Sequence, residues 1–145
     1  IKFAGYGGSP KHPVELPPDL TTDFDSHELF THLATLDAEV ALVHTIPAGY
    51  EFGGDIRGEY SLTAYLYRNT PSLILTGDTH KCFAEREKRT KTIVANPGNL
   101  GRYKKEDYGT FLEFEMDENT YVKPMVSHRI DGNSVKTQEI NEEAV

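Results

Sequence analysis

The segment Pro71-Ser72-Leu73-Ile74-Leu75-Thr76-Gly77-Asp78-Thr79-His80 decides the fold. A proline opens it, a compact apolar run follows, and Gly77 stops the run. A short apolar run between Pro and Gly reads as a buried strand over residues 72–76, because a strand covered on both faces needs no polar alternation. Residues 38–43 repeat the pattern: Asp37 precedes them, β-branched Val40 and Val43 lie within, and His44 closes the run before Pro47. A third strand-like run, residues 1–6, ends in Gly7-Gly8.

Two helical patterns separate these runs. Phe24, His27, Leu29, Phe30, Leu33 and Leu36 recur mostly at spacings of three and four, with Thr21-Thr22-Asp23 offering cap chemistry. That spacing predicts a helix over 24–36. Tyr60, Leu62, Tyr65 and Leu66 predict a second over 59–68, stopped by Asn69 and Pro71. Pro10, Pro13, Pro17 and Pro18 keep the segment before the first helix a loop. The first half therefore reads βαβαβ, an α/β fold with parallel pairing and right-handed crossovers. In such sheets chemistry sits at the carboxyl ends of the strands. Three loops fall there: 5–9, 44–49 and 77–81.

After His80 the texture changes to antiparallel strands, expected over 81–88, 92–95, 110–116 and 121–130. Turns are expected at Asn96-Pro97-Gly98, Asp117-Glu118-Asn119 and Asp131-Gly132-Asn133. Glu113 and Glu115 alternate with Phe114 and Met116, which suits a strand with one wet face. Residues 1–133 read as one structural unit and 134–145 as a frayed polar tail. The chain opens on Ile1 rather than Met, which suggests one piece of a longer polypeptide.

The 145 residues carry 15 Lys+Arg against 23 Asp+Glu, a net charge of −8 with histidines neutral. That balance argues against duplex nucleic acid as the main partner, since phosphate contacts need clustered cations. The best basic cluster, Arg86 to Lys91, is short and interrupted by Glu87. No apolar stretch is long enough to span a bilayer, and no secretory signal is visible. A single Cys82 rules out an internal disulfide and a multi-Cys zinc site, so a reducing, cytoplasmic setting is expected.

His44 ends one buried strand; Asp78 and His80, two residues apart, follow another. Imidazole and carboxylate together suit Zn, Mn, Fe or Ni better than Ca or Mg. The same side chains also serve as ordinary strand-end polar residues, and residue type alone leaves both readings open. Asn96-Pro97-Gly98-Asn99 is either a turn or a rigid loop beside a site. Gly7-Gly8-Ser9 is either a turn or a set of backbone donors for a phosphate. Arg57 and Ser61 stand near a helix start, where they meet either an anion or solvent. Cys82 has no CxxC partner, and His12, His27, His32 and His128 show no partnered spacing. There is no G-x-S-x-G elbow and no Walker loop.

The order of motifs is more specific than any one of them. It runs V-H-T-I-P-A-G (43–49), G-D-I-R-G-E-Y-S-L (54–62), P-S-L-I-L-T-G-D-T-H (71–80) and V-A-N-P-G-N (94–99), with A-G-Y-G-G-S (4–9) ahead of them. Over roughly residues 1–130 this resembles the C-terminal half of the calcineurin-like metallophosphoesterases, in the small prokaryotic branch related to cyclic-nucleotide phosphodiesterases. The resemblance implies half of a four-layer α/β/β/α sandwich, in a phosphoester hydrolase with two divalent metal ions (Mn, Fe, Zn, Ni or Mg). It implies His44, Asp78 and His80 as metal ligands and Arg57 as a phosphate contact. Asp78 stands where the family has the first His of G-H-x-H, a departure that either preserves the site with a harder ligand or degrades it. Asn99 replaces the Ser of N-P-G-S.

The family's G-D-x-x-D and G-N-H-D/E elements do not occur in this chain, and no D-x-H stands ahead of residues 4–9, where the family carries its own. The resemblance therefore implies a missing N-terminal half as a partner, supplying the remaining ligands and a catalytic His. The rival expectation is a non-catalytic interaction domain that keeps the fold with an incomplete site. A thiol enzyme built on Cys82 is the weakest of the three.

Overall fold

A computed structural model describes residues 1–7, 25–54, 57–99, 108–140 and the backbone of 143–144. The segments proposed above for the Pro-rich loop, His12, Gly8-Ser9, the Thr21–Asp23 cap and Phe24 lie outside the described residues.

Strand β1 (Phe3–Tyr6) leads to helix α1 (Ser26–Leu36), β2 (Val40–Val43), a 3-10 turn at Phe52–Gly54, α2 (Tyr60–Asn69) and β3 (Leu73–Leu75). The cap of α1 is Asp25, whose carboxylate accepts from the amides of His27 at 2.7 Å and Glu28 at 3.1 Å. These are donors that the first turn otherwise leaves unsatisfied. Asp37 and Thr70 end the two helices in left-handed conformation, at φ 46° and 47°. Helix α2 starts under Glu59, which accepts from Ser61 N at 3.1 Å.

The strands β1, β2 and β3 pair in parallel, as the alternating pattern requires. The second half departs from a purely antiparallel reading. β4 (Cys82–Arg86) runs antiparallel to β5 (Ile93–Pro97), but β5 inserts beside β3 and runs parallel to it. Ile93 to Asn96 are all buried, so β5 needs a neighbour on each side and cover on each face. The sheet order is β1-β2-β3-β5-β4-β9, where β9 is Glu143–Ala144. Because β5 continues through Asn96 and Pro97, the turn expected at Asn96 begins only at Gly98, where φ is 79°.

A second sheet joins β6 (Tyr108–Glu113), β7 (Val126–Asp131) and β8 (Ser134–Glu139), all antiparallel. The frayed tail expected from residue 134 is thus corrected: residues 134–139 are a strand. Every residue of β8 is exposed, so no apolar alternation announces it. It is held instead by the backbone ladder across the Gly132-Asn133 turn, where Gly132 has φ 58° and Ser134 Oγ donates to Asp131 O at 2.9 Å.

Period-two alternation sorts the large sheet's side chains into two cores. Ala41, Val43, Ile74, Val94 and Phe83 face Leu29 and Leu33 of α1 and Leu62, Tyr65 and Leu66 of α2. Val40, Leu73, Ile93, Ala95 and Ala84 face Val122, Met125, Leu112, Phe114 and Met116. The described residues therefore form three layers, helices on sheet on smaller sheet. The small sheet's cover stops short of the β1–β2 edge, where Phe3 is 59% exposed and Leu42 42%. Among the described residues no helix is long and apolar enough to cross a membrane.

Candidate functional site

The carboxyl ends of β2, β3 and β5 bring three loops together. His44 leaves β2, and its carbonyl accepts from the amides of Gly77 at 2.9 Å and Asp78 at 2.8 Å. These two bonds tie the loop after β3 to the end of β2. They need a close approach: a Cβ on Gly77 would lie 3.2 Å from His44 Nδ1. The result is that His44 Nε2 faces Asp78 Oδ1 at 3.7 Å, with both side chains about half exposed.

His80 sits two residues further, in left-handed conformation at φ 56°. Its Nδ1 lies 2.6 Å from Asn99 Oδ1. An amide oxygen only accepts, so this bond places the proton on Nδ1 and the lone pair on Nε2. That is the arrangement in which a histidine is held ready to bind a cation or take a proton.

Asn96 and Asn99 carry the coupling between the loops after β3 and β5. Asn96 is fully buried; its Nδ2 donates to Thr79 Oγ1 at 3.0 Å and its Oδ1 accepts from Gly98 N at 2.8 Å. Buried Thr76 adds a bond from its hydroxyl to Ala95 O at 3.2 Å. The N-P-G-N string is therefore a rigid loop beside the site rather than a free turn. Thr76 and Thr79 were not singled out by the sequence; a lone Thr in an apolar strand or loop carries no recognisable signal.

The loop after His44 is anchored to the start of α2. Glu59 N donates to Ile46 O at 2.9 Å, and Thr63 Oγ1 donates to Ala48 O at 2.7 Å. Gly58 packs so closely on this loop that a Cβ there would meet Ile46 O at 2.5 Å. Arg57, the preceding residue, is exposed. Cys82 is partly buried, and burial pushes its thiol pKa up, which keeps it in the unreactive thiol form.

His44 and Asp78 thus converge, and His80 is held by Asn99. Among the described residues no three His, Cys, Asp or Glu side chains gather into a group able to hold a metal ion. The donor set fits one edge of a divalent-cation site, an imidazole and a carboxylate within reach of one centre. It does not by itself make the two-ion centre expected from the resemblance, which needs donors from elsewhere.

No family model matches the chain, and no curated protein matches it. Among solved structures, it is similar to wild-type Vps29 of Entamoeba histolytica complexed with Zn2+, at 14% identity over 95% of this chain and 96% of that one, with a TM-score of 0.41. It is also similar to a conserved Streptococcus pneumoniae protein described as an uncharacterised predicted phosphoesterase, at 12% identity over 79% and 91%, with a TM-score of 0.37. Similarity at this level leaves the architecture to rest on the strand register and cores above, and decides no activity.

Proposed function

We propose that this chain forms part of a metal-dependent phosphoester hydrolase. The observation that supports this best is the approach of His44 Nε2 to Asp78 Oδ1 at 3.7 Å, at the carboxyl ends of adjacent parallel strands. A divalent ion held there would polarise a phosphate oxygen and acidify bound water. His44 and Asp78 would be two of its ligands. His80, with its proton fixed on Nδ1, would offer Nε2 as another ligand. Arg57, beside the loop anchored to α2, would contact a phosphate oxygen. The second ion, the remaining ligands and a proton donor for the leaving group would come from an N-terminal part of the domain. The uncovered apolar face at Phe3 and Leu42 supports a further layer of that kind. A cytoplasmic setting belongs to the same proposal and rests on the lone Cys82.

The test is calorimetric titration with Mn2+ and Zn2+, alongside hydrolysis of bis-p-nitrophenyl phosphate. His44→Ala and Asp78→Ala should each weaken metal binding roughly tenfold or more, as removal of coordinating or orienting groups does elsewhere. Metal affinity unchanged in both variants would sink the reading. The second reading is a non-catalytic interaction domain. It is favoured by the same exposed Phe3 and Leu42, and by the lack of a three-donor group among the described residues. Failure of both variants to alter metal binding, with the fold intact, would leave that reading standing.

A further inference from the structure

The small sheet packs its inner face on the large sheet, and that face is apolar at only one end. Cross-strand pairing aligns Leu112 with Ser127 and Gln138, and Thr110 with Arg129. Leu112 joins the second core, with Phe114 and Met116 near it. Beside Leu112 the same face carries Ser127 and Gln138, and one step along it Thr110 and Arg129. A layer interface normally buries apolar side chains there. Here the polar end leaves a cavity of about 400 Å³ between the sheets, and its wall includes His80 and Asn99. That volume lies within the range of small-molecule sites.

Two of the basic side chains at the cavity, Arg129 and His128, each face a carboxylate. Arg129 lies over the Tyr108 ring at 3.5 Å and 4.0 Å from Asp131 Oδ2. His128 Nε2 meets Glu113 Oε2 at 2.9 Å, and Lys81 Nζ donates to Gly53 O at 2.8 Å. Among the described residues at the cavity, Lys81 alone is bonded to a neutral partner and keeps its charge, and it is turned towards Gly53. What is left over is hydrogen-bonding capacity: Asn99 Nδ2 is buried and has no partner. A buried amide donor without a partner is costly, and a ligand oxygen would satisfy it.

We propose that this cavity binds an uncharged, hydroxyl-rich group, a sugar or similar polyol. Resting on the hydrolase reading, that group is the alcohol portion of the phosphoester, seated beside His80. Hydroxyl groups both donate and accept, which matches a wall of Ser127, Thr110, Gln138 and Asn99. An alkyl leaving group would leave the Asn99 amide donor unmet.

The experiment is an NMR titration of the intact chain with methyl glucoside and with glycerol, following the side-chain amides of Asn99 and Gln138; inorganic phosphate is the control. The expected result is a saturable shift of both amides with the polyols and none with phosphate. Ser127→Leu should fill the cavity and abolish the shift. Gln138→Ala should weaken binding about tenfold, the worth of one hydrogen bond to a ligand. No saturable shift with either polyol would overturn the proposal, as would a response to phosphate alone. Polyol binding with metal affinity unchanged in His44→Ala and Asp78→Ala would remove the hydrolase reading and keep the cavity assignment. Metal affinity lowered in both variants without polyol binding would do the reverse.

Discussion

His80 Nδ1 lies 2.6 Å from Asn99 Oδ1, joining the loop after β3 to the loop after β5. Asn99→Ala removes the acceptor that this contact offers the ring and should let the other tautomer rise. The measurement is the pair of ring 15N shifts of His80, which separate the Nδ1–H and Nε2–H forms. If His80 is also a metal ligand, Mn2+ affinity should fall about 10- to 100-fold in the same variant. Unchanged ring shifts would show that Asn99 does not set the proton's position.

Glu87 closes the turn between β4 and β5, and only 2% of it is exposed. Its carboxylate accepts from Arg89 N at 3.0 Å, Thr90 N at 2.6 Å and Thr90 Oγ1 at 2.9 Å. Burial alone would raise its pKa; the two backbone donors and the Thr90 hydroxyl outweigh burial and bring it below the usual carboxylate value. A lowered folded-state pKa contributes stability above the ordinary carboxylate pKa, and that contribution is lost as pH falls through the lowered value. Glu87→Gln should therefore cost about 2 kcal/mol near neutral pH, with the difference from wild type shrinking in acid. Urea unfolding at several pH values reads this directly. An equal cost at every pH would mean that charge plays no part.

The βαβαβ half was legible because each of its signals is local. Apolar runs at 72–76 and 38–43 have the length and punctuation of strands, and the Leu29–Leu33 and Leu62–Leu66 spacings have a helical period. The place of β5 was not, since insertion between β3 and β4 is a long-range choice set by burial on both faces. β8 was not legible either, because its side chains are all exposed and it is held mainly by its backbone ladder to β7. At the site, His44 and Asp78 meet as strand-end logic suggests. The partnership of His80 with Asn99 spans 19 residues, and nothing in the spacing announces it.

Tyr65 is fully buried, and its hydroxyl has no hydrogen-bond partner. Burial, with a smaller contribution from the Asp37 charge, pushes its pKa up to about 12 from an ordinary 10.0. The folded state then holds the phenol proton more tightly than the unfolded chain does. Stability should be unaffected by this group below pH 10.0 and should fall as pH rises towards about 12. Tyr65→Phe removes both an unsatisfied buried hydroxyl and this alkaline loss. The variant should match wild type or gain about 1 kcal/mol at neutral pH, and should outlast it in alkaline thermal melts. Loss of stability at neutral pH would show that the hydroxyl has a partner in solution.

Gly58 reaches the site without touching it. A Cβ there would lie 2.5 Å from Ile46 O, 2.8 Å from Ala48 N and 2.9 Å from Pro47 C. All three are backbone atoms, so no side-chain rotation relieves the clash. The loop from His44 to Ala48 must move away from α2, stretching the 2.9 Å bond from Glu59 N to Ile46 O. Gly58→Ala should therefore cost about 1–3 kcal/mol, as overpacking does. It should also disturb His44, since His44 lies two residues before Ile46 on the same loop. Backbone amide shifts of Gly77 and Asp78, which donate to His44 O, are the readout. Unfolding free energy lowered with those two amides unmoved would confine the clash to the α2 side and break the link between this glycine and the site.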